Sequence, residues 1–217
     1  MKKLFKSVFS ALLAVCTLTL CSCGSSGNSS SSQSSDIDEL NPVFTVDPEQ
    51  EELGEYTPSK KGTMLYYSPD EVSPQLMLAL EKYFISFSQS DYDSYAECLY
   101  PDYITEMNKF LDADYGYDLK QSFQNQCESL ESKAGGKFTV TRLKAELSPE
   151  SICDEYFANL DDTFGSGFYD KVKKDVDSFH ELTFFVMSKS EENGEMMLIS
   201  EFEIVFAEKD GKFYTFG

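Results

Sequence analysis

The sequence predicts an α+β domain over residues 73–217, with N-terminal helices packed on one face of a C-terminal antiparallel sheet. Three observations carry this expectation. From Pro74 to Leu130 the apolar residues recur at intervals of three and four, the helical period. From Phe138 onward, apart from one helical run, they alternate, the period of a half-buried strand. Two tight-turn signals, Asn193-Gly194 and Asp210-Gly211, separate the last alternating runs. Helices followed by a meander with one apolar face leave that face to be covered by the helices, which defines the class.

The elements follow in order. Ser73-Pro74 supplies an N-cap and a proline suited to the first helical position, and Leu76, Leu80, Phe84 and Phe87 carry the helix to about Gln89. Asp91-Tyr92-Asp93 caps a second, short helix with Tyr95 and Leu99. Pro101 starts a third, whose buried stripe is Ile104, Met107 and Leu111. After Asp118 as cap, Leu119, Phe123, Cys127 and Leu130 form a seam that Gly135-Gly136 closes. Phe138–Leu147 is expected as a strand and 149–160 as one further helix. Strands at 179–188 and 196–207 are joined through Asn193-Gly194, and a last one at 213–216 follows Asp210-Gly211. Leu198, Phe202, Ile204 and Phe206 share one parity against Glu201 and Glu203, so the sheet is expected to bury a single face. Thr63–Tyr67 is expected to pair as a short edge strand or to pack as an arm.

The 217 residues hold 18 basic and 38 acidic side chains, a net charge of −20. Among the basic residues only Arg142 is an arginine. A phosphate backbone must be met by clustered Lys and Arg, so nucleic acid is not an expected partner. After residue 20 no apolar run is long enough to span a bilayer. Lys2, Lys3 and Lys6 precede the apolar run Val8–Leu20, which has the length of a signal-peptide core rather than of a spanning helix.

Leu20-Cys21-Ser22-Cys23-Gly24 then resembles the lipobox of bacterial lipoproteins, with an apolar residue three before and a small residue one before the modified cysteine. The resemblance implies residues 1–22 as a lipoprotein signal peptide and a diacylglycerol thioether on Cys23, with acylation of the new amino terminus. Two or three acyl chains are what stable anchoring needs, since one chain binds marginally. Cleavage before Cys23 would remove three lysines and no acid, leaving 15 basic side chains against 38 acidic ones. Such a chain is repelled by an anionic leaflet, so the covalent lipid is its expected contact with the membrane. Residues 24–35 are all Gly, Ser, Asn or Gln, the composition of a flexible tether about 20 Å in reach. Eight acids and no base follow between Asp36 and Glu55, which extends the linker by self-repulsion. Residues 23–72 are therefore read as the lipidated cysteine and its linker, and 73–217 as a single domain.

The order of elements in 73–217, with a short helix at Asp91-Tyr92-Asp93 and a terminal Asp210-Gly211-Lys212-Phe213-Tyr214 hairpin, resembles the NTF2-like, cystatin-like α+β roll. The helix expected at 149–160 departs from that order. Enzymes of the NTF2-like kind use tyrosine and aspartate in a pocket, and none of those residues can be placed on this sequence.

Each candidate for chemistry has a plainer alternative beside it. His180 is the single histidine, which excludes a multi-histidine metal site; a dyad would need Asp175, Asp177 or Glu181, and an ordinary strand-entry residue is the alternative. Asp112, Asp114, Gly116 and Asp118 resemble a calcium loop only superficially, because Tyr117 stands where the sixth-position glycine belongs and Phe123 where the bidentate glutamate belongs. No metal ligand set and no cofactor motif is expected. Cys98, Cys127 and Cys153 suit buried thiols, with one disulfide and one free thiol as the alternative. Tyr92, Tyr95, Tyr100 and Tyr103, with Tyr115 and Tyr117, are the candidate ligand contacts, since tyrosine offers a flat apolar face and a hydroxyl; half-buried packing explains them equally.

The functional expectation is a membrane-anchored extracytoplasmic lipoprotein with a non-catalytic binding domain, its partner a cell-wall glycan, a protein or a small ligand. The alternative is a small NTF2-like pocket enzyme or small-molecule-binding protein. Seventeen lysines to one arginine point to an AT-rich genome and, with the lipobox, to the surface of a Gram-positive bacterium. The bulky apolar residues of the sheet face are expected to fill the space between sheet and helices.

Overall fold

The computed structural model describes residues 53–217 and the short strand β1 (Val43–Phe44), with 198–201 described through their backbone alone. The signal peptide, Cys23 and most of the linker lie outside the described residues.

Among the described residues, six helices and seven strands form a mixed α+β fold with an open, largely antiparallel sheet. Helix α1 (Pro74–Ser88) starts where Ser73 accepts a hydrogen bond from the Leu76 amide at 3.2 Å, with Pro74 at the first helical position. Asp91 accepts from the Ser94 amide and opens α2 (Tyr92–Cys98). α3 (Pro101–Tyr115) begins on its proline and ends at Gly116. Asp118 accepts from the Gln121 amide at 2.8 Å and opens α4 (Leu119–Ala134). The Gly135-Gly136 stop is required by the backbone: Gly136 has φ 138, and a Cβ there would lie 2.5 Å from the Glu192 side chain. Each signal acts within four residues of the end it sets, which is why the sequence displays it.

The sheet order is β1-β6-β5-β4-β3-β2, from β2 (Thr57–Pro58), β3 (Met64–Tyr66), β4 (Phe138–Leu147), β5 (Ser178–Ser190) and β6 (Met196–Lys209), with β7 (Lys212–Thr215) also on β6. Among the described strands, β3 and β4 alone pair in parallel. Asp210 and Gly211 both adopt positive φ, the geometry of the two-residue turn that joins β6 to β7. The expected strand at 63–67 is β3, and it is interior to the sheet because β2 lies outside it. Thr63, Leu65, Tyr66 and Val72 are buried, so packing begins N-terminal to Ser73. The Ser59 hydroxyl donates to the buried Glu81 carboxylate at 2.5 Å and ties this arm to α1.

Three details differ from the sequence expectation. The helix expected at 149–160 is α5 (Cys153–Phe164), delayed because its cap comes from outside: Glu181 of β5 accepts from the amides of Ile152 and Cys153 and from the Ser151 hydroxyl. A further short helix, α6 (Phe168–Asp175), follows, its Tyr169 amide held at 3.0 Å by the Asp161 carboxylate. Finally, the sheet does not keep one buried parity. Phe184 pairs with Phe202 but Val186 pairs with Ile199, so one residue more lies on β6 and Leu198 moves opposite Met187, out of the parity of Phe202 and Ile204. Near the other end of β6, Ile204, Val205, Phe206 and Ala207 are all buried, neighbours of both parities.

α1 packs on the parity of Leu182, Phe184 and Val186, with the rings of Phe84 and Phe184 4.8 Å apart. α5 reaches Phe179 on the opposite parity through Phe157, at 5.2 Å. Phe216, 1% exposed, gathers the rings of Tyr100, Tyr103, Tyr156, Phe157 and Phe168 within 4.8–6.4 Å and so joins α3, α5 and α6 to the end of the chain. Leu182, Phe184, Val186, Ile204 and Phe206 belong to one buried cluster with residues of the helices.

Candidate functional site

The four tyrosines of the sequence reading do not form a stacking surface. Tyr95, Tyr100 and Tyr103 are buried, and Tyr92 is half-buried. Tyr95 stacks on Phe123 at 4.5 Å and packs against Phe87 and Tyr83. The Tyr100 hydroxyl donates to Asp175, and the Tyr103 ring lies against Phe164 and Phe216. Burial pushes the hydroxyls of Tyr83, Tyr95, Tyr103 and Tyr156 well above the usual tyrosine range, so all four stay protonated in the folded domain at neutral pH. Of the six neighbouring tyrosines it is Tyr115 that is exposed.

His180 is a half-buried residue of β5, and its carboxylate partner is Glu208 rather than Asp175, Asp177 or Glu181. Strand alternation turns residues 179 and 181 to the other face, while the register brings Glu208 onto the diagonal from His180. Asp175 binds Lys209 and Tyr100, Asp177 accepts from the Asp210 amide, and Glu181 caps α5. Ser178 Oγ at 3.1 Å and Glu208 Oε2 at 2.9 Å both meet His180 at Nε2. A nucleophile relay needs the carboxylate on one ring nitrogen and the hydroxyl on the other. Convergence on a single nitrogen makes this a structural pairing.

Asp112 and Asp114 lie on the last turn of α3, Gly116 ends that helix, and Asp118 caps α4, so the suggested calcium loop is two helix ends and a short connection. Among the described residues no group of three or more His, Cys, Asp or Glu side chains is placed to hold a metal. Cys98, Cys127 and Cys153 are buried and free. Burial pushes the thiols of Cys98 and Cys127 up to about 11, and burial together with the Glu181 carboxylate pushes Cys153 up to about 12. These thiols are poor nucleophiles at neutral pH.

A groove of about 810 Å³ runs between α3 and α5, within the range of small-molecule sites. Its α3 wall is Glu106, Lys109, Phe110, Ala113 and Asp114, the positions i, i+3, i+4, i+7 and i+8 of one helical stripe. Its α5 wall is Asp162, Thr163 and Phe164, from the last turn of that helix. The stripe turns away from the core because Tyr103, Met107 and Leu111 occupy the buried face of α3. Phe164 is anchored from behind by the edges of Tyr103 at 5.7 Å and Phe168 at 5.1 Å, and Phe110 meets the exposed Tyr115 edge-on at 5.9 Å. Lys109 pairs with Glu106 at 2.9 Å, whereas Asp114 and Asp162 are exposed and make no ion pair among the described residues. The groove is thus an aromatic trough with a net negative floor. Tyr115 and Asp114 aside, the latter weighed only as part of a calcium loop, sequence reading missed these residues; the stripe on α3 was the available signal, and the contribution of α5 had none.

No helix among the described residues is long and apolar enough to cross a membrane. No protein-family profile, curated protein or solved structure matches the chain.

Proposed function

We propose that the protein is a lipid-anchored extracytoplasmic binding protein, held in the membrane through Cys23 and taking a small ligand in the groove between α3 and α5. The groove carries the proposal. It has the volume of a ligand site, two aromatic side chains, Phe110 and Phe164, held against the core, and two exposed carboxylates, Asp114 and Asp162, that make no ion pair among the described residues. Its carboxylates on Asp114 and Asp162 are exposed to water, unlike the desolvated base of a pocket enzyme, which favours binding over catalysis. The lysine-led apolar start and Leu20-Cys21-Ser22-Cys23 support the anchor, and the Ser-rich and acidic linker supports a domain carried clear of the leaflet. We read the architecture as a variant of the NTF2-like roll with two added helices, α5 and α6, one of which forms a wall of the site.

Two measurements test the proposal. A fatty-acid probe should label the wild-type protein in the membrane fraction and leave Cys23→Ala unlabelled; equal labelling of both removes the anchor. A panel of small metabolites and wall fragments should raise the melting temperature of the wild type but not of Ala113→Trp, which fills the groove from an exposed position. A ligand that stabilises both equally binds elsewhere and overturns the site.

A further inference from the structure

We propose that the groove between α3 and α5 recognises a small organic ammonium ion, with the charged nitrogen between Asp114 and Asp162 and the carbon portion between Phe110 and Phe164. This rests on the reading of the groove as a ligand site and adds the class of ligand.

The electrostatics of the two helix ends give the first reason. Asp114 stands one residue from the end of α3, and Asp162 two residues from the end of α5. The C-terminal end of a helix carries about half a negative charge, and basic side chains are the residues that suit it. Neither α3 nor α5 has a basic residue in its last turn. Two negative helix ends and two carboxylates therefore line one trough, an arrangement that costs free energy in the empty protein and is relieved by a cation.

The walls decide which cation. A bare metal ion needs several oxygen ligands around it, whereas this trough presents aromatic rings beside two carboxylates. Ring faces attract an ammonium group through their quadrupole and accept its alkyl substituents by burial, so both halves of an amine find a complementary surface. Within the groove one alkylammonium, that of Lys109, already pairs with a carboxylate, that of Glu106, at 2.9 Å. That internal pair neutralises one carboxylate, and the remaining negative charge is at the Asp114 and Asp162 end. A volume of about 810 Å³ is that of a small-molecule site.

The test uses isosteric probes on the full soluble chain beginning after residue 23. n-Butylamine, putrescine and choline are compared with n-butanol and butyrate by calorimetry and thermal shift at constant ionic strength. The ammonium probes should bind, with affinity falling as salt is raised, and the neutral and anionic isosteres should not. Asp114→Asn and Asp162→Asn, both at exposed positions that leave the fold intact, should each weaken binding about fivefold. Phe110→Leu, which keeps the apolar wall and removes the ring, should weaken choline more than butanol. Equal binding of butylamine and butanol, abolished by Ala113→Trp, would keep the groove as a ligand site and refute its ammonium specificity. No binding of any ammonium probe at millimolar concentration would refute this inference outright, and the metabolite panel then decides the site separately.

Discussion

Truncating Phe216 tests the packing that builds one side of the site. The ring is 1% exposed and is surrounded by Tyr100, Tyr103, Tyr156, Phe157 and Phe168, with centroids 4.8–6.4 Å away. Those five rings come from α3, α5, α6 and the residue before α3, so no single element can move to close the space that Phe216→Ala leaves. The loss should therefore fall high in the usual range for such a truncation, about 4–5 kcal/mol. Against a total stability of about 5–15 kcal/mol this is about a quarter or more. For a domain of this size it lowers Tm by roughly 10 °C or more. Urea unfolding of the soluble protein, followed by circular dichroism, measures the change. Leu78→Ala, at a position 50% exposed, is the control and should stay within about 0.5 kcal/mol. A cost for Phe216→Ala below about 1.5 kcal/mol would mean that the five rings do not close around it, and that α5 is not fixed against α3.

Glu181→Ala should destabilise the protein by about 1–2 kcal/mol, since its carboxylate is the acceptor for the first amides of α5. Hydrogen exchange at Ile152 and Cys153 should rise selectively; unchanged protection there contradicts the cap. The raised hydroxyls of Tyr83, Tyr95, Tyr103 and Tyr156 predict an alkaline transition with a definite sign. The folded state keeps protons that the unfolded state releases above about pH 10, so stability holds below that value and falls as pH rises beyond it. Tyrosinate absorbance from these four should appear together with loss of the far-ultraviolet signal, and ionisation before unfolding would contradict their burial.

The parts of the fold that the sequence made legible are those decided by neighbours along the chain. Ser73-Pro74, Asp91, Asp118 and Gly135-Gly136 act on the turn beside them, and β4 spans the residues whose alternation marks it. What stayed hidden depends on distant residues. Ile152 has no side-chain cap of its own, and the start of α5 is set by Glu181 about 30 residues later. α6 offers a single buried pair, Phe168 and Val172, between Gly167 and Val176, and leans on the Asp161 carboxylate. The extra residue on β6 that moves Leu198 out of parity leaves the local pattern of β6 intact. The tyrosines illustrate the limit for sites: their residue type suits a ligand surface, but Tyr95, Tyr100 and Tyr103 face the core, and it is the three-dimensional meeting of α3 with α5 that forms the groove proposed as the site.

Asp114 and Asp162 provide the sharpest separation of a functional from a structural origin. A carboxylate in the last turn of a helix opposes the helix dipole, and proteins break such local preferences chiefly at functional sites. If the two residues serve the fold, replacing them must weaken it; if they serve a cation, the folded state without ligand gains from their removal. Asp114→Lys and Asp162→Lys should therefore each raise stability by about 0.3–1 kcal/mol at low ionic strength, because a lysine complements the helix end. The same substitutions place an ammonium where the ligand's would sit and should abolish binding of choline and butylamine. Thermal melts at low and high salt, read beside calorimetric titrations, measure both effects in one set of variants. Loss of stability together with loss of binding would make the carboxylates structural. A gain of stability with binding retained would place the ammonium elsewhere in the groove. A more stable protein that no longer binds amines is the outcome that the opposed charges at the ends of α3 and α5 require.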